Sequence, residues 1–356
     1  MHRRFLFALA LLLPAAALAQ GTLLVGNKSD DTVWRLSLDD GSRMAEFATG
    51  AGPHEIAVSP DGRSAVVTSY GHQQPGHAVT VLDLAGGAAP RSIDLGEHGR
   101  PHGVRFLPGR GEVLVTTEQS HALLRVDLAQ GSVAQAIGVG DGVGHMVALS
   151  RDGAIAYVSK IAAGKVLRVD LAAGRVTHEV AAGEGAEGIE VAPDGSVWVT
   201  NRAEDTVTVH DPETLARIDT LPSPGFPIRV VFTPDGRHAL VTNAMAATMS
   251  VFDATERTQV ATVVLRPEGA EAGQSMLGAG PCRSARSPIR RERACMSRSA
   301  AATASRWSIP RTGACSTTGR RAGSPMHWAS SRKIAQERWR RRQGCGTGQR
   351  YGYCWG

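Results

Sequence analysis

The sequence predicts an all-β protein of the β-propeller class, and three observations lead to this prediction. A unit of strand, turn and strand recurs along the chain, its period is close to 40 residues, and runs of alternating apolar and polar residues take the place of helical periodicity. A repeat of that length built from short strands is typical of propeller blades, which are small antiparallel sheets arranged around a central channel.

The repeat is clearest when the chain is aligned on residues 52–69, "GPHEIAVSPDGRSAVVTS". The related segments are "RPHGVRFLPGRGEVLVTT", "VGHMVALSRDGAIAYVSK", "AEGIEVAPDGSVWVTN" and "FPIRVVFTPDGRHALVTN". Their turns are separated by steps of 48, 43, 42 and 41 residues and lie at Pro60, Pro108, Arg151, Pro193 and Pro234. Five units in one register indicate a repeated structural element.

Each unit is predicted to form four antiparallel strands, a to d. In the first unit "HEIAV" is strand a, "SPDG" a turn, "SAVVTS" strand b, "AVTVLDL" strand c and "PRSIDL" strand d. The strands are rich in β-branched residues, and the turn has Pro and Gly where backbone geometry requires them. Aspartates recur where the c strands end, and we expect them to cap the following turns rather than form a ring of acids: Asp83, Asp127, Asp170, Asp211 and Asp253.

The strand-b ends "LLVGN", "AYVSK", "VWVTN" and "ALVTN", together with "VLDL", "RVDL" and "VFDA" on strand c, resemble the YVTN-type β-propeller repeat family. The resemblance covers residues 22 to about 265. It implies a seven-bladed, exported propeller of the lactonase-like superfamily. Since that family includes binding proteins, lactonase-like enzymes and cofactor-associated proteins, the resemblance implies little about a reaction.

The N-terminus is predicted to be a cleaved signal peptide, residues 1–19. His2, Arg3 and Arg4 form a basic segment, an apolar run follows, and Ala17-Leu18-Ala19 is a typical cleavage site. The apolar run is shorter than the roughly 20 residues that a membrane span needs. We therefore expect a periplasmic or secreted protein that has no membrane span.

The C-terminal residues differ sharply in composition from the repeats. Residues 281–356 contain 16 Arg and 1 Lys against 2 Glu, a charge of +15, whereas residues 1–280 carry −9. No Val follows Val264, and all five cysteines lie in this part: Cys282, Cys295, Cys315, Cys345 and Cys354. We therefore divide the chain into a signal peptide, propeller repeats over 20–270 and an aberrant tail over 271–356, and we expect no nucleic-acid partner despite the basic charge.

The tail has the composition of a GC-rich gene translated in the wrong frame. In the shifted frame the first two bases of each codon become bases two and three, which permits "VPIGALAD" from "PCRSARSPI" and "xYVA" from "ACMSR". The same rule permits "DRVAVVDP" from "TASRWSIP" and "GREPDALG" from "GRRAGSPMHWA". Our hypothesis is a propeller that is seven-bladed by ancestry, with about five full blades and one partial blade encoded here. A frameshift near Gly280 has replaced the C-terminal blade and closing strand with a disordered tail.

Candidate site residues lie where strands a begin and in the loops of the same face. His54, His102 and His145 begin three successive strands a, and Glu187 occupies the matching place in the next unit. Imidazoles beside a carboxylate are typical ligands of Zn, Cu or Fe. We predict these four as a transition-metal site, and we predict a wider ligand-binding set that adds His72, His77, His98 and His121.

The sequence favours a binding protein over an enzyme. It contains no C-x-x-C-H haem motif, no G-x-S-x-G nucleophile motif, no H-E-x-x-H zinc motif and no phosphate-binding loop. We expect an exported monomer that acts as a binding or interaction module, with a His-lined metal or cofactor site at the mouth of the channel and a protein partner or small ligand on the loop face. The alternatives are a lactonase-like hydrolase and a non-functional frameshifted product.

Overall fold

A computed structural model describes residues 21–265 and the backbone of two short segments, 273–275 and 278–280. Every regular element in these residues is a β-strand, so the predicted all-β class is confirmed. No helix in the described residues is long and apolar enough to cross a membrane. The predicted signal peptide, the five cysteines and the segment from residue 281 onward that is predicted to be frameshifted lie outside the described residues.

The first sheet contains three strands, β1 (Thr22–Asn27), β2 (Thr32–Ser37) and β3 (Arg43–Ala48). They pair antiparallel in chain order. These strands correspond to strands b, c and d of the predicted repeat, so sheet 1 has no strand a among the described residues. One edge of β1 therefore has no strand partner there.

Five four-stranded antiparallel sheets follow, each in chain order from strand a to strand d. Sheet 2 contains β4 (Pro53–Val58), β5 (Ser64–Gly71), β6 (Pro75–Asp83) and β7 (Arg91–Asp94). Sheet 3 contains β8 (Pro101–Phe106), β9 (Glu112–Thr117), β10 (Ala122–Asp127) and β11 (Ser132–Gly138). Sheet 4 contains β12 (Gly144–Leu149), β13 (Ile155–Lys160), β14 (Lys165–Asp170) and β15 (Arg175–Ala181).

Sheet 5 contains β16 (Ala186–Val191), β17 (Val197–Asn201), β18 (Thr206–His210) and β19 (Arg217–Pro222). Sheet 6 contains β20 (Pro227–Phe232), β21 (His238–Asn243), β22 (Thr248–Asp253) and β23 (Thr258–Val264). A short pair, β24 (Gly273–Ser275) and β25 (Gly278–Gly280), follows. Sheets 1 to 6 are the six blades of a β-propeller, five full and one partial as predicted. The seven-bladed ancestry and the frameshift stay predictions.

The repeated aspartates cap turns, as the sequence predicts. Asp127 Oδ1 accepts hydrogen bonds of 2.8 Å from the backbone N–H groups of Ala129 and Gln130. The aspartates that end the other four c strands accept equivalent bonds, namely Asp83, Asp170, Asp211 and Asp253. A short carboxylate that satisfies the N–H groups of a tight turn fixes the c-to-d connection in each blade.

Apolar clusters between consecutive sheets hold the blades together. Val79 of β6 and Leu124 of β10 belong to the cluster between sheets 2 and 3, and both are fully buried. Equivalent clusters lie at the other four junctions from sheet 1 to sheet 6. Burial of one such side chain contributes about 1.5–3 kcal/mol, so the cohesion of the propeller comes mainly from these five junctions.

Candidate functional site

The site is built from the first residues of the innermost strands. In sheets 2 to 5 the second residue of strand a is His54, His102, His145 and Glu187, respectively. The pairing of strand a with strand b shifts register directly after the first residue of each strand. Such bulges redirect side chains relative to a regular strand. Repetition of the bulge therefore brings equivalent side chains of successive blades together.

In sheets 2 to 4 a hydroxyl group on strand b joins strand a of its own blade to the strand end of the next blade. Thr116 Oγ1 accepts the N–H of Gly103 at 2.8 Å and donates to the carbonyl of His145 at 2.6 Å. Thr68 bonds Glu55 N–H and the carbonyl of His102 in the same way. A Cβ on Gly103 would lie 2.9 Å from the His145 carbonyl oxygen, so glycine is needed for this close approach.

His54, His102 and His145 form a continuous row of imidazoles. The Nε2 atoms of His54 and His102 are 2.7 Å apart. The ring centroids of His102 and His145 are 3.8 Å apart, with an angle of 36° between the ring planes. Tyr70 packs against His54 with a centroid distance of 5.0 Å. The row thus crosses the boundaries between sheets 2, 3 and 4.

Two carboxylates lie at the end of this row. Glu118 Oε1 is 2.7 Å from His145 Nδ1, and its other oxygen accepts the hydroxyl of Tyr70 at 2.6 Å. Glu187 Oε1 lies 3.8 Å from His145 Nε2, which is an ion-pair distance and too long for a hydrogen bond. His145 is therefore held between two acidic groups.

Cationic side chains surround the row. Arg229 contacts Glu187 at 3.2 Å and Glu55 at 2.5 Å, and Arg202 donates to Glu187 Oε2 at 2.8 Å. Lys28 Nζ, which follows β1, lies 3.2 Å from Nδ1 of His54. Acidic and basic groups therefore both lie against the imidazole row.

The groups around the three histidines shift their pKa values in different directions. Burial lowers the pKa of His54 and His102 well below the ordinary value, and the positive groups around them lower it further. Burial also disfavours the charged form of His145, but Glu118 and Glu187 outweigh it and raise the pKa of His145. Burial likewise disfavours the charged form of Glu187, yet His145, Arg229 and Arg202 hold the pKa of Glu187 at about 2. His54 and His102 are therefore neutral at pH 7.

One ring nitrogen of this row has no hydrogen-bond partner. His102 is 2% exposed, and its Nδ1 atom is buried without a partner. Nδ1 of His54 faces Nζ of Lys28 at 3.2 Å, and its Nε2 faces Nε2 of His102, where one ring donates and the other accepts according to the tautomer. Among the described residues, the row thus ends at a buried ring nitrogen that no hydrogen bond satisfies.

The structure brings together four of the eight predicted ligand-binding residues. His72 contacts Asp31 at 2.9 Å, His98 contacts Ser120 at 3.0 Å, and the side chain of His77 is exposed. His121 has a positive φ and ends the turn that precedes β10. In the described part of the chain these four make no hydrogen bond or ring contact with the row. The three row histidines and Glu187 lie together, His72 and His98 contact residues outside the row, and the ligand-binding role of all eight residues stays a prediction.

Sequence analysis missed several groups of the site. Lys28, Glu118 and Arg202 directly follow strands b of their sheets, and Tyr70, which lies inside the longer β5, occupies the matching place in the aligned repeat. Glu55 and Arg229 follow the second residue of strand a, one place after the aligned histidines. Alignment of these two columns, in addition to the histidine column, could have found them.

Two groups of the described residues have the arrangement of a metal site. His54, Glu55 and His102 can each offer one ligand atom, with the atoms within 4.8 Å of one another, and so can His102, Glu118 and His145. Neutral imidazoles with a carboxylate suit Zn²⁺ and similar ions. His102 is common to both groups and is the centre of the site.

Comparisons with known proteins support the fold. No family model and no curated protein matches the chain. Among solved structures, hydrazine synthase from Kuenenia stuttgartiensis has a TM-score of 0.59 at 19% identity, over 68% of this chain and 83% of that one. A protein of unknown function from Desulfotomaculum acetoxidans has a TM-score of 0.58 at 17% identity, over 68% of this chain and 79% of that one. At these identities the likeness shows the propeller fold alone.

Proposed function

We propose that the chain is a binding module that holds one divalent transition-metal ion between the strand ends of sheets 2 and 3. The observation that carries this proposal is the approach of two buried imidazole Nε2 atoms, those of His54 and His102, to 2.7 Å. Two nitrogens bound to one zinc ion at about 2.0–2.1 Å lie somewhat farther apart, so a small rotation of either ring makes room for the metal.

Glu55 supplies the third ligand in this proposal. Its carboxylate lies within 4.8 Å of the ligand atoms of both histidines. Glu187 belongs to neither candidate metal group and is engaged by two arginines, Arg202 and Arg229, whereas Glu55 pairs with Arg229 and lies beside both imidazoles; His145 is engaged by Glu118. We therefore assign His145 and Glu187 to positioning the site, although both belong to the predicted ligand set. Neutral imidazole is the form that binds metal, and the lowered pKa values of His54 and His102 favour that form.

Metal titration of the full chain tests the proposal. Tail thiolates also bind Zn²⁺, so the titration uses a chain in which all five cysteines are replaced by serine. We expect one Zn²⁺ per chain by calorimetry, and a loss of affinity of about 100-fold in His102→Ala. His178→Ala is the control, because His178 is exposed and contacts Thr177. Equal affinity in the two variants would contradict the proposal.

Assays of lactone turnover on the same samples distinguish a binding module from the alternative lactonase-like hydrolase. Metal binding without turnover of simple lactones favours the binding module. Turnover that requires metal and disappears in His102→Ala favours the hydrolase, because a metal can activate water for attack on an ester.

Export belongs to the same proposal. The predicted signal peptide places the site in the periplasm or outside the cell, with a protein partner or small ligand on the loop face. Mass spectrometry of the exported chain tests this location, and an N-terminus at Gln20 is expected.

A further inference from the structure

Among the described residues, one face of sheet 6 is apolar and has no neighbouring sheet, whereas the same face of sheets 1 to 5 packs against the next blade. Met249 of β22 is partly exposed. The residues at its position in sheets 1 to 5 are all 0% exposed: Val33, Val79, Leu123, Val166 and Val207. Each of these contributes to the apolar cluster with the following sheet.

Other positions on this face show the same contrast. Leu240 of β21 is partly exposed, whereas its counterparts Leu114 and Trp198 are fully buried. Val263 of β23 is 41% exposed, whereas its counterpart Leu221 in sheet 5 is 5% exposed. We call the surface of Leu240, Met249 and Val263 the open face. It has the composition of a junction between blades.

The hydroxyl that joins consecutive blades is also left without a partner here. Thr242 occupies the position of Thr116, yet its Oγ1 is buried and has no hydrogen-bond partner. Thr116 donates to the strand end of the next blade. Among the described residues, Thr242 therefore lacks the bond to a following strand end that Thr68, Thr116 and Ser159 make.

Sheet 1, at the other end of the row of blades, also lacks a strand in the described residues. In sheets 2 to 6 strand b pairs with a strand a, whereas β1 pairs only with β2 in the described residues. An open face at one end and an unpaired strand edge at the other are the two surfaces that an additional blade would cover. Both surfaces lie within residues 21–265.

The amino-acid sequence after sheet 6 permits such an occupant in the shifted frame. Met, Trp and His have only one or two codons each, so their bases are nearly fixed. In the shifted frame, the codons of His327, Trp328 and Ala329 can therefore encode only Ala, Leu and Gly, in that order. The codons of Arg283 and Pro325 permit Pro in that frame, and they are 42 codons apart, within the 41 to 48 residues that separate the predicted turns. They would be two strand-a starts, like Pro53 and Pro101.

We propose that the open face and the free edge of β1 are docking surfaces for a seventh four-stranded blade and its closing strand, which the same gene encodes in the shifted frame of codons 281–329. This proposal is independent of metal binding. Its test compares the full chain with the product of the same gene after insertion of one nucleotide at codon 281, which we call the restored chain.

Val263→Asp tests whether the open face becomes covered. In the full chain Val263 is largely exposed, so the thermal midpoint should change by less than about 2 °C. In the restored chain the carboxylate would be buried in a junction, and the midpoint should fall by about 5 °C or more. Ile218→Asp is the control, because Ile218 of β19 is 46% exposed in a blade that already has neighbours on both sides. An equal effect of Val263→Asp in both chains would overturn the proposal.

Thr242→Val gives a second test, because its effect on the thermal midpoint should differ in sign between the full chain and the restored chain. In the full chain the substitution removes an unpaired buried hydroxyl and should leave the midpoint unchanged or raise it. In the restored chain it removes a bond between blades and should lower the midpoint. Thr116→Val should lower the midpoint in both chains, because Thr116 is bonded in each. A restored chain that is insoluble, or less stable than the full chain, would also overturn the proposal.

Discussion

At the scale of single residues, burial decides which histidines carry charge. His54, His102 and His210 all have lowered pKa values because burial disfavours the imidazolium. His145 differs because two carboxylates lie against it. Identical residue types therefore take different protonation states according to their neighbours.

His210 gives a pH prediction away from the site. It is fully buried, with Nδ1 bonded to the carbonyl of Leu215 and Nε2 to Thr208. The unfolded chain takes up a proton on His210 near pH 6.5, whereas the folded chain resists this, so stability falls as the pH drops below about 6.5. Between pH 7 and pH 5 the full chain should lose more unfolding free energy than His210→Gln, as measured by urea denaturation. An equal loss would show that His210 does not contribute.

At the scale of the element, the repeated hydroxyl on strand b holds the site residues of consecutive blades together. It bonds strand a of its own blade and the strand end of the next one. Because the bonded carbonyls belong to His102, His145 and Glu187, the same bonds that join the blades also position the site residues.

Thr68→Val tests whether the two hydrogen bonds of this hydroxyl stabilise the fold. The substitution leaves the N–H of Glu55 and the carbonyl of His102 without their buried partner, and we expect a loss of about 1–3 kcal/mol in unfolding free energy. Thr255→Val, at an exposed turn position, should have no measurable effect. Chemical denaturation of both variants provides the measurement. A neutral Thr68→Val would show that the hydroxyl is dispensable.

At the scale of the whole molecule, ion pairs connect blades that are distant in sequence. Arg229 of sheet 6 contacts Glu55 of sheet 2 across 174 residues, and Arg105 of sheet 3 contacts Glu190 of sheet 5. These contacts lie between innermost strands, so they cross the channel. They join parts of the propeller that share no apolar cluster.

Arg229→Leu should destabilise the whole propeller. It leaves Glu55 and Glu187, both largely buried, without a shared cation, and loss of one partner of a buried ion pair costs about 3–5 kcal/mol. Arg237→Leu is the matched control, because it removes a surface pair with Asp235 in which Arg237 is 74% exposed. Urea unfolding should show a large loss only for Arg229→Leu. Equal midpoints would mean that the cross-channel pairs add nothing to stability.

The sequence by itself determined the propeller class, the boundaries of the blades and the column of His54, His102, His145 and Glu187. These features are repeated, and a repeat of about 40 residues exposes both strand period and register without any knowledge of contacts. The turn-capping role of the aspartates followed for the same reason, since an aspartate caps a turn only a few residues away.

Only the tertiary structure decided which of these residues act together. Contacts such as Arg229 with Glu55, or His145 with Glu118, join residues far apart in the chain, and no local pattern specifies them. The structure also excluded the loop histidines from the row, because His72 and His98 find nearer partners. The open face of sheet 6 became visible in the same way, because burial depends on what packs against a strand rather than on its own sequence.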